Sequence, residues 1–152
     1  MKTKIFAGLL IAAAAHTALA VTPTKPNACP SISAIKSVGI NEARKEEDGG
    51  AMWYSFIRKN SFGTNVEWEF ILRGDFNTQK SSEAIKMANA SLSSMNTISE
   101  PVLTEDNGKE AWACAYFPSS ADQTHGYLMG LALSPADWIE IPAIARIISK
   151  MR

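Results

Sequence analysis

The sequence predicts an α+β fold: one small domain, an antiparallel β-sheet with a helix packed on one face, plus a C-terminal helix. Three observations carry this expectation. Residues Val66–Arg73 (VEWEFILR) alternate apolar and polar at period two, the pattern of a strand with one buried and one wet face. Between Thr78 and Ser94 the period changes, and Ile85, Ala88, Leu92 and Met95 fall on one helical stripe. Ser134-Pro135-Ala136-Asp137 then has the form of a helix start: a cap, a proline at the first position and an acid in the first turn.

The elements follow in order. Residues 1–20 read as a signal peptide. Lys2 and Lys4 lead an apolar run, Ile5 to Ala15, which closes on Ala18-Leu19-Ala20. The run is too short for the roughly 20 residues of a spanning helix, so no transmembrane segment is expected. Residues 21–28, polar and with two prolines, read as a flexible arm. Residues 29–134 form the expected sheet domain. Within it, Ser31–Ala43 reads as a short turn followed by a strand, and Glu46-Glu47-Asp48 with Gly49-Gly50 as a turn. Ala51–Lys59 is an aromatic-rich strand, and Val66–Arg73 is the alternating one. A helix over Thr78–Ser94 is capped by Asn77 or Thr78. Asp106-Asn107-Gly108 is the turn of a hairpin joining Ile98–Thr104 to Lys109–Phe117. A last strand spans His125–Leu133, where Gly126 and Gly130 point to a bend or a close approach. Residues 135–152 form the expected C-terminal helix, with Trp138, Ile141, Ile144, Ile148 and Met151 on its apolar side and Pro142 as a kink. A docked helix is the favoured reading, and a membrane-surface helix is the alternative.

Export sets the chemistry that remains. Without the leader, the fifteen basic residues fall to thirteen against fifteen acids, a net charge of −2 that gives no general attraction to nucleic acid. The same cut leaves one histidine, His125. Cys29 and Cys114 are expected to pair, since an oxidising compartment makes pairing the default. One histidine and two separated cysteines serve zinc poorly, and no phosphate-cradling glycine loop is present. No serine stands in a nucleophile elbow. Glu67, Glu69 and Glu105 could in principle act as acid and base, yet nothing distinguishes them from surface charge. The chain therefore reads as a non-enzymatic protein, with no catalytic and no metal site assigned.

Binding is the remaining class. Trp53 and Tyr54 are chain neighbours on a strand and cannot share a face, so one aromatic is sent outwards as a platform. His125 and Tyr127 stand two apart on the last strand and share a face, and both residue types ligate haem iron. The candidate ligand-binding residues are His125, Tyr127, Tyr116 and Trp53, with haem as a ligand rather than a required cofactor.

Three stretches resemble a known family. Ala28-Cys29-Pro30-Ser31-Ile32-Ser33-Ala34-Ile35-Lys36, Ala90-Ser91-Leu92-Ser93-Ser94 and Trp112-Ala113-Cys114-Ala115-Tyr116 look like a group of small exported proteins of unknown function from intracellular Gram-negative bacteria. Some members of that group carry the label hemin-binding protein. The resemblance spans Cys29 to Pro135, and Cys29 and Cys114 match the group's two cysteines. It implies an exported protein, periplasmic or secreted, that binds hemin or another planar apolar ligand. The competing expectation is a secreted protein-interaction module, an inhibitor or host-directed factor, that uses the open sheet face.

Overall fold

A computed structural model describes residues 22–47, 50–97, 100–106, 108–119 and 127–137. The elements are α1 (Ile32–Val38), β1 (Glu42–Lys45), β2 (Met52–Asn60), β3 (Trp68–Asp75), α2 (Ser81–Ser91), a 3-10 turn (Leu92–Ser94), β4 (Met95–Thr97), β5 (Val102–Asp106), β6 (Lys109–Pro118) and β7 (Leu128–Ser134). The seven strands make one sheet in the order β1-β2-β3-β7-β6-β4, with β5 also on β6, and every pairing is antiparallel. The expected α+β single domain with an antiparallel sheet is thus what forms. The expected C-terminal helix falls outside the described residues. Pro135–Asp137 form a bend and turn after β7.

Register makes the sheet's two faces explicit. On the first face, Ser55, Leu72, Gly130 and Tyr116 lie in one cross-strand row, and Ile57, Phe70, Ala132 and Cys114 in the next. Ile35 of α1, Ala84 and Ala88 of α2 and Leu92 pack into this face, completing the larger core cluster. Gly130 is a glycine because Tyr116 and Phe70 close over it. A Cβ there would stand 3.0 Å from Tyr116 Cβ and 3.2 Å from the Phe70 ring, the close approach expected of this strand. Phe70 and Tyr116 meet edge to face at 5.4 Å between centroids.

The second face carries the row Phe56, Ile71, Leu131 and Ala115, flanked by Tyr54, Met129, Leu133 and Ala113. Here the structure corrects the expectation of a wet face. Tyr54, Phe56, Ile71, Met129 and Leu131 are each 1% exposed, and Glu69 is 3% exposed. The residue that broke the alternation, Ile71, belongs to this second cluster. Strands with apolar side chains on both sides are buried on both sides.

The N-terminal region differs from expectation in one element. The anticipated turn at Ser31 is the helix α1: Ser31 Oγ accepts from Ala34 N, and Gly39, at φ 78, ends the helix by donating its N–H to Ile35 O. The strand expected next is β1. The arm before α1 is tied at several points. Trp112 Nε1 donates to Pro23 O at 3.0 Å, and Asn27 N donates to Asn65 Oδ1 at 2.7 Å. Asn65 Nδ2 donates to Lys25 O. The Cys29–Cys114 disulfide, across 85 residues of sequence, then locks α1 to β6. The helix expected from Thr78 starts three residues later. Thr78 still organises the start, since its hydroxyl accepts from Lys80 N and donates to Glu83. Met95, placed by its spacing on the helical stripe, instead opens β4.

Candidate functional site

A cleft of about 440 Å³ opens on the helical side of the sheet, lined by Phe76, Met87, Ala90, Ser91, Ser93, Ser94 and Ser119. Its volume lies within the range of small-ligand sites. Each wall has a local cause. Phe76 follows β3, and its ring packs where a side chain at Gly74 would stand, leaving it 2% exposed as the floor. Met87 and Ala90 are on α2, and Met87 is one of four large apolar side chains left exposed among the described residues. The far wall is set by a tertiary contact, the Ser119 N–H donating to Ser94 O at 2.8 Å.

The hydroxyls have defined roles. Ser91 Oγ donates to Met87 O and Ser94 Oγ donates to Ser91 O, at 2.8 and 2.9 Å. Their protons are committed to the helix, so these oxygens present acceptor lone pairs. Ser93 Oγ accepts from Lys36 Nζ at 2.9 Å and keeps its own proton to give. The result is an apolar floor with a hydroxyl rim. None of the seven described lining residues titrates near neutral pH, and together they can offer a ligand apolar contact and hydrogen bonds.

Of the four candidates from sequence, the three that are described do not converge. Trp53 is in the first core cluster, with Nε1 donating to Thr78 O at 3.3 Å. Tyr116 is fully buried in the same cluster and donates to Pro30 O at 2.8 Å, while burial pushes its phenol well above the usual range. A phenol held protonated on a carbonyl is poorly placed to become an iron-ligating phenolate. Tyr127 packs against the second cluster instead, on the other side of the sheet. The Arg73 guanidinium stands 4.9 Å from its ring centre, and its hydroxyl donates to Met129 Sδ at 3.7 Å. His125 lies outside the described residues. Tyr54, the other half of the Trp53–Tyr54 pair, is on the second face as alternation requires, but buried rather than outward.

Two charged clusters flank the second face. At one end Glu69 is ion-paired to Arg58, which also holds Glu42. Burial raises the Glu69 carboxyl above its ordinary range despite Arg58, whereas the hydrogen bond from Arg58 lowers that of Glu42. At the other end Arg73 pairs with Glu46 at 2.7 Å, and Tyr54 OH donates to the same carboxylate at 2.9 Å. The three acids considered for acid–base work do not meet. Glu67 pairs with Lys59, Glu69 pairs with Arg58, and Glu105 is on β5, beyond β7 and β6. Among the described residues no three His, Cys, Asp or Glu side chains come together to hold a metal.

The cleft had no sequence signal of its own, since serines near a helix end are ordinary. No family model, no curated protein and no solved structure matches this chain.

Proposed function

We propose that this is an exported binding protein that takes a small amphiphilic ligand, with an apolar and preferably flat body, in the cleft under α2. The cleft itself carries the reading: Phe76, Ala90 and Met87 offer apolar surface, and four serines ring it with hydrogen-bonding oxygen. Hemin belongs to this ligand class, and Met87 adds a thioether, a residue type that ligates haem iron. The Cys29–Cys114 disulfide supports an oxidising compartment, in keeping with the leader-like first twenty residues.

The test is a hemin titration of oxidised protein followed in the visible spectrum, with Ala90→Trp to fill the cleft, Met87→Ala, and Tyr127→Phe. A saturable one-to-one shift abolished by Ala90→Trp supports the cleft. A shift lost only in Tyr127→Phe moves the site to the second face. A shift unchanged in all three is adsorption to apolar surface, and the reading fails for hemin.

A second reading, a protein-interaction module, is favoured by one observation. Val102 and Leu103 on β5 are 54% and 41% exposed, and among the described residues no strand pairs with the other side of β5. Exposed apolar side chains on a sheet edge are a template for strand addition. The open sheet face anticipated for a partner is buried, which leaves this edge. Hydrogen-exchange protection of Val102–Thr104 by a partner would support it.

A further inference from the structure

We propose that residues 138–152 are the cover of the sheet's second face, laid across β2, β3, β7 and β6 as a segment held to the domain mainly by that contact. The starting point is a burial that the described elements do not account for. Tyr54, Phe56, Ile71, Met129, Leu131 and Leu133 are at most 1% exposed. Every fully buried member of their cluster comes from a strand, while α1 and α2 contribute only to the opposite cluster. The side chains packed around it are Phe117, Tyr127 and two arginines, Arg58 over the Phe56 ring and Arg73 over the Tyr54 and Tyr127 rings. Arg73 Nε is itself shut away from solvent with no acceptor. Four side chains at the margins do not seal a row four strands wide.

The chain's own path selects the occupant. After β7 it turns through Pro135–Asp137, and the Asp137 carboxylate comes to 4.0 Å from Lys59 Nζ. Lys59 is on β2, two strands away from β7 in the sheet. Asp137 also lies close enough to Glu69 for its charge to help raise that carboxyl. Asp137, the last described residue, therefore stands at the Glu69 corner of the second face. Its fifteen residues would span about 22 Å as a helix, against roughly 15 Å for four strands side by side. Trp138, Ile141, Ile144, Ile148 and Met151 supply the apolar stripe that such a surface takes.

The test reads methyl–methyl contacts by NMR in the oxidised protein, from a sample mixing two differently labelled copies. Contacts within one molecule from Ile141, Ile144 and Ile148 to Met129, Leu131 and Leu133 are expected. Contacts only between copies would overturn the proposal in favour of a second chain. Contacts from any other segment, residues 120–126 included, would overturn it too. As a second measurement, Ile144→Lys with Ile148→Lys should raise binding of an apolar-surface dye severalfold. The Phe70–Tyr116 ring-current shifts should meanwhile persist, reporting that the first face is intact. Unchanged dye binding with those shifts intact would count against the proposal.

Discussion

The first face of the sheet is closed by elements that the sheet itself orders, and the second is closed differently. On the first, α1 and α2 are held by a disulfide, by the Tyr116–Pro30 hydrogen bond and by Asn89, which bonds both the N–H and the carbonyl of Ile40. Each contact joins residues far apart in sequence. On the second, the apolar row lies between two ion-pair clusters, Arg58 with Glu42 and Glu69 and Arg73 with Glu46, and no helix of the described chain packs there. Equal burial can thus rest on unequal anchoring. Covalent and polar ties fix the cover of the first face, whereas the described part of the second is held by apolar contact among strand side chains.

The largest effect should come from cutting the strongest tie. Replacing both Cys29 and Cys114 by Ser should cost about 4.5 kcal/mol, the chain-entropy value for a loop this long, read as a lower urea midpoint. A matched pair sharpens the comparison next. Leu72→Ala on the first face and Leu131→Ala on the second should each cost about 2–5 kcal/mol. A second face that yields more readily would place Leu131→Ala clearly below Leu72→Ala in the same denaturant series. Gly130→Ala, which pushes a methyl between Phe70 and Tyr116, should cost about 1–3 kcal/mol by overpacking, seen as a lowered Tm. Ser55 Oγ is buried on the first face with no partner. Ser55→Ala should therefore be neutral or stabilising by about 1 kcal/mol, and a marked loss would reveal a partner for that hydroxyl.

The smallest effect is a pH dependence at the edge of the second face. Burial raises Glu69, so the folded protein holds that proton more tightly than the unfolded chain. Its contribution is fully favourable below the unfolded pKa of about 4.3 and is lost as pH rises through the higher folded value. Glu42, lowered by Arg58, has the opposite sign: its contribution is present above the unfolded value and fades in acid. Stability of Glu69→Gln relative to the parent should rise with pH from about pH 4 upward. A flat difference across that window would remove Glu69 as a burdened acid.

Much of this architecture could be read from the residues. The alternation in Val66–Arg73 placed Trp68, Phe70 and Leu72 on one face, and the turn signal that ends at Gly108 does join a hairpin, although its first strand is Val102–Asp106 rather than Ile98–Thr104. The second face was also written in the chain, in Ile71 and in the unbroken apolar run Leu128–Leu133, which suits a central strand buried on both sides. Reading that alternation as half-wet missed it. α1 was missed because seven residues give too little periodicity, although Ser31 and Gly39 are ordinary caps. The cleft was illegible because its far wall depends on Ser119 meeting Ser94 across the fold, a distance no local pattern encodes.

The strand order has a consequence for when the molecule can fold. β7, the last strand of the described chain, is inserted between β3 and β6. Until residue 134 is available, β1-β2-β3 and β4-β5-β6 are two separate half-sheets with no edge in common, and the central rows of neither face exist. A chain threaded from its N-terminus, through a ribosomal tunnel or an export channel, thus cannot complete its core prematurely. Cys29 likewise waits for Cys114 before it can close the native bridge. Such non-local closure makes folding slow, because both half-sheets must wait for the same late strand to join them.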